Sequence, residues 1–399
     1  VITGTVWVGA YVLVFLLLRL ASRHRLPNES LGVGDTGGGL PPAVRQLLGR
    51  ADPRDFYVDY ASAHAMLHGQ NAYANSNILF KGLGPAWDVR TANPHPPTLM
   101  PLVAPFTLLH YGAALSAWAI LMTFLYIATV RLLEVRLDYS IAIGIGVAVT
   151  FPGAYGIGNP VPIVAFGIAL AYRFRYHPAL AGLGIALAAM PKGSGLILAI
   201  PFLAALRIKT LLWAAGFYLA SALLPLLWQG DIWRQYFIHG TKAINANVDR
   251  GDNASILRQA RVHLGLPGSA TVVILVVIAI GIAWAQRDLF WPAVWLTVAT
   301  LPIAWMYSLL ALLPLFVVAV RTQPRRTIAL VVLTGGLSIA SPPFGPWATG
   351  VFPFAIVTTA VICVLLRPSG PTLPYVGWPQ QVGPAGSSAE KVRESASTV

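Results

Sequence analysis

The sequence predicts an all-α polytopic membrane protein, and three observations carry that reading. Hydrophobic residues make up 56% of the 399-residue chain and charged residues only 10%. Apolar stretches recur at 1–18, 99–130, 141–154, 161–171, 179–190, 196–206, 211–228, 271–285, 290–320, 327–340 and 351–366. The acids, in contrast, are gathered: six of the fourteen fall between residues 22 and 98. A bilayer crossing takes about 20 apolar residues, and the shorter runs call for flanking residues, tilt or a broken re-entrant helix. Buried helices of a soluble protein account for one or two such runs and not for the whole series. About 11–12 transmembrane or re-entrant segments are expected.

Taken in order, the run 1–18 lacks a signal-peptide cleavage pattern and reads as a retained span. Residues 22–98 form a long polar connection. It opens on the Gly-rich 31–39, a flexible turn region that lacks the Gly-Lys-Ser/Thr ending of a phosphate loop. Residues 56–67 predict a short helix with Ala61, Ala65 and Leu67 as packing positions. Asn93-Pro-His-Pro-Pro97 predicts a rigid, non-helical entry to the next apolar run, whose first part, 99–109, dips in without crossing. A second polar connection spans 229–269. Residues 1–377 are expected to form one integral-membrane domain, with 378–399 a disordered Ser/Ala-rich tail. The 37 glycines and 31 prolines are compatible with membrane helices whose neighbours satisfy the freed backbone.

The net charge of +13 does not indicate nucleic-acid binding, because the arginines punctuate the apolar runs and build no aromatic-interleaved basic surface. With the N-terminus inside, eleven basic residues fall in short connections (Arg131, Arg136, Arg173, Arg175, Arg207, Lys209, Arg287, Arg321, Arg325, Arg326 and Arg367) against three acids, Glu134, Asp138 and Asp288. That asymmetry marks those connections as cytoplasmic and puts 22–98 and 229–269 outside. Arg19, Arg23 and Arg25 run against the rule. The single cysteine, Cys363, excludes an intrachain disulfide and a thiolate metal site.

Among the polar residues, Asp55 and Asp59 lie one helical turn apart. A carboxylate at a membrane–water boundary suits a general base, while an N-cap role for Asp52 or Asp55 is the structural alternative. His64 and His68 have a metal-ligand spacing but lack the intervening glutamate and a third ligand, so no metal is assigned. His95, between prolines, is a candidate ligand contact. Lys192, in Ala188-Ala-Met-Pro-Lys-Gly-Ser-Gly195, can hold a lipid phosphate as a point charge beside broken helix ends, or simply snorkel. Arg250, Arg258, Arg261 and His263 surround Asn253-Ala-Ser-Ile-Leu257, and one of these arginines can clamp a phosphate. Asn159 either terminates a helix or contacts substrate.

The order of these motifs resembles the polytopic GT-C glycosyltransferases that use lipid-linked phosphosugars, above all glycosyltransferase family 87, the actinobacterial alpha-mannosyltransferase and arabinofuranosyltransferase group. The resemblance runs through Asp55-Phe-Tyr-Val-Asp59-Tyr, Leu67-His-Gly69, Tyr73, Asn93-Pro-His-Pro-Pro97, Pro101–Pro105, Gly158-Asn159, Lys192, Asn253-Ala-Ser-Ile-Leu257 and Trp305-Met-Tyr-Ser308. It implies a GT-C-like fold with an external catalytic loop and an inverting transfer from a polyprenyl-phosphate sugar to a glycolipid or cell-envelope glycan. It implies Asp55 as the base and Lys192, Tyr307 and an arginine near Arg258 as phosphate contacts, with His95, Asn159 and Asp59 around them. No cofactor is implied; the partners are the lipid-linked donor, the acceptor and membrane lipids. Tyr307 stands where mannosyltransferase members commonly place a histidine, so an arabinofuranose donor stays open beside mannose. A lipid-linked glycan flippase is the reading of another class. Broken short helices fit it, but the sequence shows no related halves.

Overall fold

The computed structural model describes residues 54–75, 79, 92–150, 158–251, 253–322, 330–331, 334 and 346–366. The run 1–18, the Gly-rich 31–39, Asp52, most of 327–340 and the tail 378–399 lie outside the described residues. The described residues are mostly helical, with no strand among them. Among the described residues three helices are long and apolar enough to cross a membrane: Tyr111–Leu132, Ile208–Leu227 and Gly268–Gln286. Eight shorter apolar helices accompany them. This is the all-α, GT-C-like polytopic architecture the sequence predicts.

The helices that position the polar residues are α1 (Arg54–Leu67), α2 (Tyr111–Leu132), α3 (Leu137–Thr150), α4 (Val161–Arg173), α5 (Pro178–Ala189), α6 (Ile208–Leu223), α7 (Ile256–Leu264), α8 (Gly268–Gln286), α9 (Phe290–Ala299), α10 (Leu313–Thr322) and α11 (Pro346–Leu365). Apolar side chains stand exposed along α2, α6 and α8, among them Ile120, Phe124, Leu212, Leu219, Val273, Val277 and Trp284. Rows of this kind face hydrocarbon in a membrane protein, where they carry no penalty.

Packing between α4 and α5 relies on small residues. A Cβ on Gly167 would lie 2.6 Å from the Gly184 carbonyl oxygen, and one on Gly184 would lie 2.5 Å from the Ala171 nitrogen. The two backbones therefore touch, which is how membrane helices gain contact without a hydrophobic drive between them.

The run 99–130 divides as expected. Met100–Val103 sits between 3-10 turns at Pro97–Leu99 and Ala104–Leu108, and α2 then starts afresh behind His110, whose Nδ1 accepts from the Ala113 amide. The run 290–320, continuous by hydropathy, is broken between α9 and a 3-10 turn at Met306–Leu312. The second polar connection holds that break open. Asn253 Nδ2 donates to the Val248 and Pro302 carbonyls, and its Oδ1 accepts from the Ser255 and Ala304 amides. The Ala254 amide donates to Ala304 O and the Ser255 hydroxyl to Pro302 O.

The bundle is bipolar. At one end Glu134 pairs with Arg173 at 2.5 Å and Arg321 at 3.6 Å, while the Arg207 guanidinium lies over Tyr176. Four of the basic connections thus share one end. The opposite ends of α4 and α5 carry Asn159 and Lys192.

Candidate active site

Helix α1 is the mount for both carboxylates. Its aromatic side locks against α2: Phe56 stacks on Trp118 with ring centroids 5.2 Å apart, and Tyr60 meets Tyr111 edge-on at 5.5 Å. The Tyr60 hydroxyl donates to the Leu109 carbonyl at 2.7 Å. With that side fixed, Asp55 and Asp59, spaced i and i+4, share another face. Asp55 lies in the first turn and is not the cap; Asp59 is 2% exposed.

Each carboxylate is held by an asparagine built the same way. Asn159 Oδ1 accepts from the Val161 amide at 3.0 Å, and its Nδ2 donates to Asp55 Oδ2 at 2.5 Å. Asn93 Oδ1 accepts from the His95 amide at 2.8 Å, and its Nδ2 donates to Asp59 Oδ1 at 3.0 Å. Both are followed by proline, and each folds its oxygen onto the backbone two residues on, leaving the amide free to point at α1. Asn159 therefore both starts α4 and grips a carboxylate. Gly158 admits it: at φ +68° its own Cβ would lie 2.4 Å from the Cβ of Phe56, so only glycine fits. The Trp118 indole donates to the Gly158 carbonyl at 2.9 Å.

The remaining partners arrive from distant sequence. The Tyr307 hydroxyl donates to Asp55 Oδ2 at 3.3 Å, delivered by the break that Asn253 secures. His95 Nδ1 donates to Asp59 Oδ1 at 2.8 Å, and the Tyr73 hydroxyl donates to the His95 carbonyl. Lys192 follows the end of α5. Thr98 ties that turn to the His95 segment by donating to the Met190 carbonyl at 2.6 Å, while Ser221 of α6 donates to Thr98 O.

Burial pushes the Asp55 carboxyl above its ordinary value. His95, the Asn159 amide and Lys192 pull it down, and Asp59 adds to the rise. Burial alone would lower His95, but Asp59, by charge and hydrogen bond, and Asp55 outweigh it, so the imidazole titrates above its usual range; Lys192 opposes that rise. Lys192 is depressed by burial, with Asp55 resisting. Asp55 and Lys192 each keep part of their surface open. The cluster is thus a partly open carboxylate with donors on one oxygen and a cation close by.

Of the residues selected from the sequence, Asp55, Asp59, His95, Asn159, Lys192 and Tyr307 come together here. Arg258 makes none of these contacts; its guanidinium reaches back to the Asn253 carbonyl at 3.5 Å, and its Nε is buried without a hydrogen-bond partner. The arginine of that connection that interacts electrostatically with Tyr307 is Arg250. Trp305, whose ring centroid is 5.8 Å from that of Tyr307, also carries a buried Nε1 with no acceptor among the described residues. Asn93, which the sequence marks as the start of a rigid entry segment and not as a site residue, is the second mount, and the chain's two Asn-Pro steps, at 93 and 159, mark both. His64 and His68 stack on each other at 4.1 Å, and His68 Nδ1 bonds the His64 carbonyl. Among the described residues no cluster of three or more His, Cys, Asp or Glu is arranged to hold a metal.

Residues 94–289 match the family model described as Glycosyltransferase family 87. The match includes His95, Asn159, Lys192 and Arg258, whereas Asp55, Asp59 and Tyr307 fall outside it. No curated protein and no solved structure matches the chain.

Proposed function

Over residues 94–289 the chain belongs to glycosyltransferase family 87, and on that premise we propose that it moves mannose from a polyprenyl-phosphate donor to a glycolipid or cell-envelope glycan, at the outer face of the membrane. The observation that carries this reading is the Asp55 carboxylate. One oxygen is gripped by Asn159 and Tyr307, the group stays partly open, and a lysine stands within electrostatic reach.

In the proposed reaction an acceptor hydroxyl oxygen attacks the anomeric carbon while the bond from that carbon to the phosphate oxygen breaks. The bonding pair leaves with the phosphate, and the hydroxyl proton goes to Asp55. Attack from the face opposite the leaving group inverts the anomeric centre. Burial suits Asp55 to this task, because it makes the carboxylate a stronger base than one in water. Lys192 is placed to balance charge on the departing phosphate as a compact cation. Trp305 Nε1 and Arg250 are further donors on the Tyr307 side. Tyr307 cannot supply the charge of a protonated histidine, which keeps decaprenyl-phosphate-arabinose as the second donor to test.

The test incubates purified protein with each radiolabelled donor and membrane glycolipids. Asp55→Asn preserves size and the Asn159 contact while removing the base, so transfer is expected to fall by about 10²-fold or more. Full transfer by a folded D55N protein would refute the assignment, and transfer of arabinose alone would replace mannose.

A further inference from the structure

Asp59 has no place in the reaction above, yet it is the more deeply buried carboxylate of the pair. Its Oδ1 accepts from Asn93 and His95, and its Oδ2 is buried with no hydrogen-bond partner among the described residues. An anion so placed requires a countercharge, and His95 is the only cationic side chain in hydrogen-bond contact with it among the described residues. His95 is itself immobilised at three points: Nδ1 by Asp59, the backbone amide by Asn93 and the backbone carbonyl by Tyr73. The ring is therefore held in a set orientation on the face of α1 that also carries Asp55.

We propose that Asp59 and His95 form a charge couple whose duty is to keep Asp55 ionised: Asp59 holds the imidazolium, and the imidazolium offsets the burial of Asp55. Both are positioning residues acting through the base. The inference rests on the reading of Asp55 as that base.

The groups facing the cluster close the charge balance. Helix α1 contributes Asp55 and Asp59, the 93–98 segment His95, and the turn after α5 Lys192. Tyr73 and Tyr307 bring neutral hydroxyls, and Arg250 lies beyond Tyr307. Two carboxylates thus stand against two cations when His95 is protonated. Taking the proton from His95 leaves the two carboxylates, one helical turn apart, with Lys192 alone, and the downward pull on Asp55 is lost. The upward shift of His95 and its downward pull on Asp55 agree with this arrangement.

The experiment titrates the purified protein by pH-difference infrared spectroscopy. The Asp55 carboxyl band is identified by its loss in Asp55→Asn. In His95→Gln the Asp55 midpoint is expected to rise by about one pH unit, the scale of losing a nearby opposite charge. In Asp59→Asn the His95 imidazole, followed by NMR of labelled histidine and assigned by its loss in His95→Gln, is expected to titrate lower. If His95→Gln does not fold, the His95 resonance is assigned instead by replacing the other seven histidines in turn, and the second measurement stands alone. An unmoved Asp55 midpoint in folded H95Q, or an unmoved His95 midpoint in folded D59N, overturns the couple. Transfer assays then separate the two readings. The acid limb of kcat/KM should move up in H95Q with the donor KM unchanged; a raised KM with a stationary limb makes His95 a substrate ligand and overturns the couple alone. Transfer by D55N removes the base assignment, whatever the titrations show.

Discussion

At the scale of single residues, what distinguishes Asp55 is the unequal strength of its two donors. The Asn159 contact is short at 2.5 Å and the Tyr307 contact long at 3.3 Å, and both stabilise the ionised form. A base must be ionised to work, and burial raises Asp55, so transfer is expected to be lost with acidification from a pH above the ordinary carboxylate range. Weakening either donor moves that limb further up. Tyr307→Phe should shift it slightly. Asn159→Asp should shift it more, because it keeps an oxygen for the Val161 amide but turns a donor into a second negative charge beside Asp55. A pH profile of kcat/KM for the two variants checks the order; an equal or reversed order would show that the tyrosine, and not the amide, holds the carboxylate.

At the scale of elements, α4 and α5 act as a rigid pair with Asn159 at the start of one and Lys192 past the end of the other. Gly184→Ala inserts a methyl 2.5 Å from the Ala171 nitrogen and 2.6 Å from the Gly167 carbonyl oxygen, both backbone atoms that cannot turn aside. The helices must separate, at an expected cost of about 1–3 kcal/mol in stability, and transfer should fall with it because both ends of the pair reach the site. Gly216→Ala in α6 meets nothing within 4 Å and serves as the control, expected neutral in thermal unfolding and in transfer.

Elements of this kind could be read from hydropathy alone, and the break after Leu109 from its proline-rich approach. The break before Tyr307 could not, since the residue that holds it open, Asn253, lies some fifty positions earlier and acts through backbone carbonyls. The site was readable as residue types and not as pairings. Asp55 meets Asn159 across 104 positions and Tyr307 across 252, and no local pattern encodes such contacts. The two Asn-Pro steps were the local signal available, because an asparagine before proline tends to fold its oxygen back and leave its amide to bind something else.

At the scale of the whole molecule, the two ends of the bundle differ in charge logic. At one end Glu134 pairs with Arg173 and Arg321, contacts that are about half exposed and add little stability, and Arg207 lies over Tyr176 nearby. Their weight lies in topology, since basic residues in short connections are retained on the cytoplasmic side. The carboxylates of α1 stand at the other end, which the proposed function places outside, where lipid-linked sugars would be met. Cys363 is fully buried and is the chain's single cysteine, so new thiols can be read with little background. His68→Cys places an exposed thiol at the end of α1, and Asp138→Cys places one at the start of α3 without removing a basic residue. A membrane-impermeant maleimide added to intact cells should label H68C and spare D138C, with D138C reacting only after permeabilisation. The reverse pattern would turn the molecule over, put Asp55 inside, and require a donor presented to the cytoplasm.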